Sequence, residues 1–534
     1  MPSFRDDHII VIQVGSLYHR AVLGLAESLG PPTIRVRTRV GKNEKGEYMF
    51  SNKKENGLKQ EKTPKEEDSK QNEILEKPAE LQDQDSSTAN DAAEADTQKE
   101  EFSASFQSDC NVEDWEPLPN EIQPIQKGYV VDWDALRAFW KHLYSTILSK
   151  SVESFSQYPV CLLIPTYWSF YDRELATQFF FEELHVPAFT IGYESLMGLY
   201  AIGVLHGLVI DVGYEKTDIT PILDGQILFS ATQQIPLGGR NMTLHLQKLM
   251  LESLPTLQAT GKHVDQEHIT ELLAEQVKCS EITQVLREEQ DASKEKTKRE
   301  EEFNTSKDEE GVEDIGKIVA TGQTRAYLAR KEEERKGNSS QRKIPENSEV
   351  EFQTINLSPI GDCIIGRERF KACQELFHRP SNHSVSLPEA IYLTIKHNSV
   401  DYNRRNDLWE NIIVMGCGSR IRGFREALVQ QLQFRFQLTG KLEPYYVAQG
   451  TDSIIGMTTN PPTPYPPLIN PCKTLPDYFP SWKPDASTNA MFEELAFLGG
   501  SIVAKTSFNE SVASHYVTFD EYVQNGPTEI HSKQ

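Results

Sequence analysis

The stretch that most restricts the fold is residues 208–225, LVIDVGYEKTDITPILDG. Leu208, Val209 and Ile210 make an apolar strand that runs into Asp211, a turn built on Gly213 follows, and a second strand covers residues 218–223. An acid at a strand end before a glycine turn is a phosphate-binding arrangement. Backbone N–H groups of the turn cradle the phosphate while the carboxylate orders a metal ion and its waters. Tyr214 and Glu215 stand in this turn where open backbone is needed.

The flanking sequence alternates strands and helices, which predicts an α/β fold. Residues 8–14 read as a buried strand, with 21–23 and 34–40 as further strands of the same sheet. In GYVVDWDALRAFWKHLYSTIL, Asp132 or Asp134 can cap a helix that places Leu136, Phe139, Trp140, Leu143 and Tyr144 on one face. A strand at 160–165, a helix at 172–184, a strand at 188–191 and a helical segment at 197–205 lead into the opening motif. Folded signals resume at 387–397, 411–432 and 493–503. The Pro-rich run 458–484 reads as an irregular surface loop.

Two segments break this pattern. Residues 52–112 are rich in Lys, Glu, Asp, Gln and Ser, and 288–348 mixes both charge signs densely; both read as insertions, the first disordered. Of a net charge of −24, residues 53–116 supply 19 acidic side chains against 8 Lys and no Arg, a balance of −11. Such acidity argues against autonomous DNA or anionic-membrane binding. The seven Cys (110, 161, 279, 363, 373, 417 and 472) show no metal spacing and fit a reducing compartment. No run approaches the ~18 apolar residues of a membrane span, and the N-terminus lacks the form of a signal peptide. A soluble intracellular chain is expected.

Four segments in order resemble the actin family: GYVVDWDALRAFWKHLYSTIL, LVIDVGYEKTDITPILDGQIL with IPLGGRNMT, NIIVMGCGSRIRGFREALVQQL, and FLGGSIVAKTSF with EYVQNGP. The resemblance implies a two-lobed actin-like α/β fold (the actin/Hsp70/hexokinase ATPase architecture) with disordered insertions. It divides the chain into lobe I at 1–51 and 113–206, the acidic insertion 52–112, lobe II at 207–287 and 349–485, the charged insertion 288–348, and a return to lobe I at 486–534. The opening MPSFRDDHIIVI and the insertions are similar to nuclear members of the family found in SWI/SNF- and RSC-type chromatin remodellers.

The family pattern also locates the nucleotide elements. Its first hairpin, Asp-x-Gly-Ser-Gly, is matched by Gln13-Val14-Gly15-Ser16-Leu17, so an amide replaces the metal-ordering acid and a bulky residue replaces a glycine. Its second, Asp-x-Gly-Asp-Gly-x-Thr, is matched by Asp211-Val212-Gly213-Tyr214-Glu215-Lys216-Thr217. Asp211, Gly213 and Thr217 persist, but Glu215 puts a carboxylate beside the phosphates, a contact costing about 4 kcal/mol at ~4 Å. Glu194 falls where the family has its water-positioning Gln. The adenosine-side loop survives as Gly416-Cys417-Gly418, and Glu275 matches an acid near the nucleotide. Gly15, Ser16, Asp211, Gly213, Thr217, Gly416, Cys417 and Gly418 are thus the candidate residues of a degenerate nucleotide cleft.

Either the cleft binds ATP and hydrolyses it slowly, or these turns persist because hairpins and lobe packing need them. The damage at Gln13, Leu17 and Glu215 favours the second, with no catalytic residue, resident cofactor or metal. What remains by resemblance is a groove for amphipathic helices, walled by Tyr200, Gly203 and Leu205 on one side and by Val503, Thr506, His515 and Tyr516 on the other. The expectation is a non-catalytic architectural subunit of a nuclear remodeller. It would hold the motor ATPase's helicase–SANT-associated helix together with a second actin-related protein and other SWI/SNF and RSC subunits, without sequence-specific DNA contacts or a membrane. A weak ATPase, another nuclear remodeller and a dynein-activator complex remain as alternatives.

Overall fold

A computed structural model describes residues 4–26, 29–50, 115–148, 157–259, 266–286, 347–358, 361–378, 385–435, 479, 482, 492–509 and 515–533. The acidic insertion 52–112, the charged insertion except for residues 347–348, and most of 458–484 lie outside these residues. The chain divides into two compact units, residues 1–38 with 123–534, and residues 39–122.

In chain order the larger unit begins with strands β1 (Ile10–Gln13), β2 (Tyr18–Leu23) and β3 (Ile34–Arg37). The smaller unit carries β4 (Gly41–Lys42) and β5 (Tyr48–Met49). Its Asn43 side chain accepts the Lys45 and Glu47 N–H groups, closing a turn with Gly46 at φ +82°. The larger unit resumes with the hairpin β6 (Ile125–Gln126) and β7 (Tyr129–Val130), helix α1 (Trp133–Leu148), β8 (Val160–Ile164), α2 (Phe170–Glu182), β9 (Ala188–Tyr193) and α3 (Glu194–Ile202). Then come β10 (Gly207–Val212), β11 (Thr217–Leu223), β12 (Gln226–Ile227), β13 (Gln233–Ile235), α4 (Gly239–Ala259), α5 (Glu271–Cys279), the hairpin β14 (Gln353–Leu357) and β15 (Gly361–Ile365), α6 (Leu387–Ile395), α7 (Arg405–Glu410), β16 (Ile412–Met415) and α8 (Phe424–Arg435). The chain returns through α9 (Leu495–Asn509), β17 (Val517–Thr518) and α10 (Phe519–Asn525).

Two sheets organise the unit. One runs β17-β9-β8-β1-β2-β3; the other runs β12-β11-β10-β16, with β13 also on β11. They are built alike. β1 pairs antiparallel with β2 and parallel with β8, while β10 pairs antiparallel with β11 and parallel with β16. The register sets Gln13 opposite Arg20 in one hairpin and Asp211 opposite Asp218 in the other.

Helices α3 and α9 pack between the sheets. Val11 and Leu163 of one sheet and Val209, Ile413 and Met415 of the other share a cluster with Met197, Phe497 and Leu498. The close seating of α9 depends on the Gly499-Gly500 pair, the first against α3 and the second against β8. A Cβ on Gly499 would lie 1.8 Å from the Met197 carbonyl oxygen, and one on Gly500 would lie 2.4 Å from Leu163 Cδ1.

Local signals in the sequence explain several boundaries. Asp132 accepts the Ala135 N–H at 2.9 Å and starts α1, whose expected face is buried throughout. Capping boxes start α2 (Ser169/Asp172), α6 (Ser386/Glu389) and α10 (Thr518/Glu521). Gly203, left-handed at φ 75°, stops α3. Two expected strands are shorter than read. Asp6–His8 forms a 3₁₀ turn ahead of β1, and Val40 leaves the sheet to bridge Ile122.

Candidate functional site

The turns of the two equivalent hairpins, the N-terminus of α3, the loop after β16 and the start of α9 hold the candidate cleft residues. In the first turn a Cβ on Gly15 would meet the Tyr18 carbonyl oxygen at 2.2 Å, so a glycine is required there. Leu17 avoids positive φ, and its carbonyl accepts the Thr38 N–H at 2.8 Å. Thr38 also ties the turn down by donating Oγ1–H to the Gly15 carbonyl at 2.7 Å. Gln13, where the family pattern has an acid, donates Nε2–H to Glu194 Oε1 at 2.8 Å inside the protein.

The second turn is closed by its own backbone and by α4. The Gly213 N–H donates to the Lys216 carbonyl at 2.9 Å. The N–H groups of Gly239 and Arg240 donate to the carbonyls of Gly213 and Tyr214 at 2.9 and 2.7 Å. Free N–H groups at a helix start are natural phosphate donors; here these two are already taken. Gly238 permits the contact, since a Cβ there would meet the Tyr214 oxygen at 2.6 Å. Thr217 is fully buried and donates its hydroxyl to the Leu237 carbonyl at 2.7 Å, so it serves the sheet and not the cleft. Glu215, expected to repel a phosphate, accepts the Lys127 N–H of the β6–β7 turn at 2.6 Å.

Lys216, which the sequence offers only as a charge able to soften the repulsion from Glu215, is buried and paired in this turn. It is 8% exposed, and its ammonium lies 2.5 Å from Asp218 Oδ2 and 5.8 Å from the centre of the Tyr167 ring. Burial, then the neighbouring Asp211 carboxylate, pushes the Glu194 carboxyl up to about 8, against the Gln13 hydrogen bond and Lys216. Burial, then Asp218, pushes Asp211 up to about 6, against Lys216 and Arg20. These effects favour the protonated form of Glu194, which weakens it as a base towards a water.

A second ionic group occupies the adenosine-side loop. Gly416, at φ +88°, donates its N–H to the Glu493 carbonyl at 3.2 Å, and a Cβ there would sit 2.3 Å from Asp211 Oδ1. Gly418 presses on β10, where a Cβ would meet Val212 Cγ1 at 2.5 Å. Arg20 Nε donates to Glu494 Oε1 at 3.2 Å, and Arg35 Nη2 reaches the same oxygen at 2.5 Å. Arg20 also contacts Cys417 Sγ, and Arg420 pairs with Glu493. Glu493 and Glu494 are 4% and 5% exposed. Arg20, Arg35, Glu493, Glu494 and Arg420 were not singled out from the sequence; the paired acids just before the FLGGS motif were the available signal. Glu275, matched to a nucleotide-side acid, instead holds Lys278 at 2.7 Å and Thr243.

The second candidate region follows from the α3–α9 packing. Tyr200 and Val503 are partly buried against the shared core, Leu205 is 58% exposed, and Thr506 is exposed on α9 with its hydroxyl donated to the Ile502 carbonyl. Gly203 caps α3 between them. His515 lies at the surface, its carbonyl accepting the Thr190 hydroxyl at 2.7 Å. Tyr516 is a correction to the expected wall. It is 1% exposed and packed edge-on against Phe4 and beside Phe508, so it supports this surface from beneath.

A pair of hairpins with matching parallel partners, facing each other across a helical core, is the actin architecture, and the Actin family model matches residues 6–456. The chain belongs to the actin family. Over all 534 residues, covering both proteins completely, it is 67% identical to a Schizosaccharomyces pombe protein described as SWI/SNF and RSC complexes subunit arp9. Human actin-like protein 9 is 33% identical over 132 residues, 25% of this chain and 31% of that protein. Mouse actin-like protein 7A is 25% identical over 312 residues, 58% of this chain and 56% of that protein.

Proposed function

We propose that this chain is a non-catalytic, architectural actin-related subunit of a chromatin-remodelling complex of the SWI/SNF and RSC type, acting in the nucleus on transcription. The observation that carries the reading is the 67% identity, end to end, with the Schizosaccharomyces pombe subunit. The family implies a nucleotide and a divalent cation in the cleft, and the residues present do not fit them. The first acid is Gln13, two helix-start N–H groups are engaged, and buried ion pairs stand at both ends. Without a nucleotide to turn over, the protein acts by holding partners. The surface around Tyr200, Leu205, Val503 and Thr506 suits an amphipathic helix presenting apolar anchors at i, i+3/i+4 and i+7. That helix is the helicase–SANT-associated segment of the motor ATPase, bound jointly with a second actin-related protein. The net charge of −24 favours a basic helix.

Affinity purification of the tagged protein from cells, followed by mass spectrometry, tests the assignment. A SWI/SNF-type ATPase and a second actin-related protein are expected among the recovered chains. Recovery of dynein-activator subunits in their place would overturn it.

A further inference from the structure

We propose that Lys216 is a tethered replacement for the cleft's cation: its ammonium offsets the charge of the buried Asp218, and of Asp211 across the strand pair, without metal or nucleotide. This inference rests on the reading of the cleft as non-catalytic.

Three independent features point to it. The charge is placed where it is needed, since Lys216 bonds Asp218 at 2.5 Å and its field favours ionisation of both Asp211 and Glu194. The site is built to admit the side chain. Gly128, in the β6–β7 turn at φ +79°, leaves room for the lysine; a Cβ there would lie 2.3 Å from Lys216 Cε and 2.4 Å from Nζ. The same turn is fastened on both sides, by Glu215 accepting the Lys127 N–H and by Trp168 donating to the Gly128 carbonyl at 3.1 Å. Third, Asp218 is matched to the lysine, with its other oxygen accepting Gln234 Nε2–H at 3.1 Å. A buried carboxylate with both oxygens satisfied in this way needs no added ion. Among the described residues, no three His, Cys, Asp or Glu side chains are grouped as metal ligands.

A bound divalent ion is exchangeable and couples stability to its concentration by mass action. A lysine on the chain is always present, so lobe packing around this cleft becomes independent of magnesium and ATP.

Thermal unfolding of the purified full-length protein tests this, using wild type, Lys216→Met, Asp218→Asn and Lys216→Met/Asp218→Asn. Each is measured in EDTA, in magnesium chloride and in magnesium with ATP. Wild type is expected to unfold at one temperature in all three. Lys216→Met, which keeps length but loses charge, is expected to unfold about 5 °C lower. Adding Asp218→Asn should recover most of that loss, because Asp218 is the carboxylate that the lysine bonds and its uncompensated charge is then removed. Should Lys216→Met alone fail to yield soluble protein, recovery of soluble protein in the double variant supports the proposal equally. A wild-type midpoint raised by magnesium, a Lys216→Met midpoint equal to wild type, or no recovery in the double variant would each overturn the proposal. ATP turnover measured on the same samples separates the two readings. Turnover by wild type defeats the non-catalytic reading, whereas a neutral Lys216→Met with no turnover defeats this inference alone.

Discussion

Replacing Glu494 by Ala removes the carboxylate shared by two arginines, and the cost can be worked from their surroundings. The Arg20 side chain is 9% exposed and lies within the first hairpin's strand β2, so its guanidinium cannot re-solvate without opening the sheet. Breaking one side of a buried pair costs about 3–5 kcal/mol, because a charge is left in the interior. Arg35, at 26% exposure, turns to water and adds little, about 0–1 kcal/mol. The Arg20–Cys417 contact and the nearby Glu493 offset part of the charge, placing the expected loss near the low end, about 3 kcal/mol. Glu494→Gln retains an acceptor and loses only the charge, so a loss of about 2 kcal/mol is expected. Urea unfolding gives the totals, and native-state hydrogen exchange locates them. Amides of residues 416–420 and of β2 should exchange faster in Glu494→Ala while those of α2 stay as in wild type. A variant within about 0.5 kcal/mol of wild type, with unchanged exchange at 416–420, would refute the view that this ionic group joins β2 to the β16 loop.

Two further substitutions probe the cleft acid and the helix packing. The Glu194 carboxyl has a folded pKa raised to about 8, so the folded state binds its proton more tightly than the unfolded chain. Its contribution is greatest below the ordinary carboxyl value and is lost as pH rises towards 8. Glu194→Gln, facing Gln13, Asp211, Asp218 and Lys216, should therefore flatten the fall in stability across that window and gain on the order of a few kcal/mol at pH 8, read from urea midpoints against pH. Gly499→Ala pushes a methyl into the Met197 carbonyl and should cost about 2 kcal/mol or more. It should also weaken capture of the motor's helix in a binding assay, because α3 and α9 separate.

The sequence makes the strand–turn–strand motifs, their order and the capped face of α1 legible, because each is a local pattern of alternation, glycine and capping acid. The α1 face follows directly from helical spacing, while the cap is open between Asp132 and Asp134 in the sequence and falls to Asp132 in the structure. The damage in the first hairpin is equally local, since Gln13 and Leu17 can be read one residue at a time. The contents of the cleft are not local. Arg20 and Glu494 are separated by 474 positions, and Gln13 and Glu194 by 181. Periodicity reports which face a residue lies on, not which distant partner meets it there. Lys216 shows the same limit. In sequence it is one more turn residue, and only the juxtaposition with Gly128 and Asp218 reveals a buried cation. Thr217 and Tyr516 matched family positions, yet the sheet takes the hydroxyl of one and the core takes the ring of the other.

ATP hydrolysis by the purified protein, alone and with Asp211→Ala as the control, tests whether this actin-family cleft is purely structural. In that case wild type and Asp211→Ala both release phosphate at the buffer rate. Turnover by wild type that Asp211→Ala abolishes would contradict it.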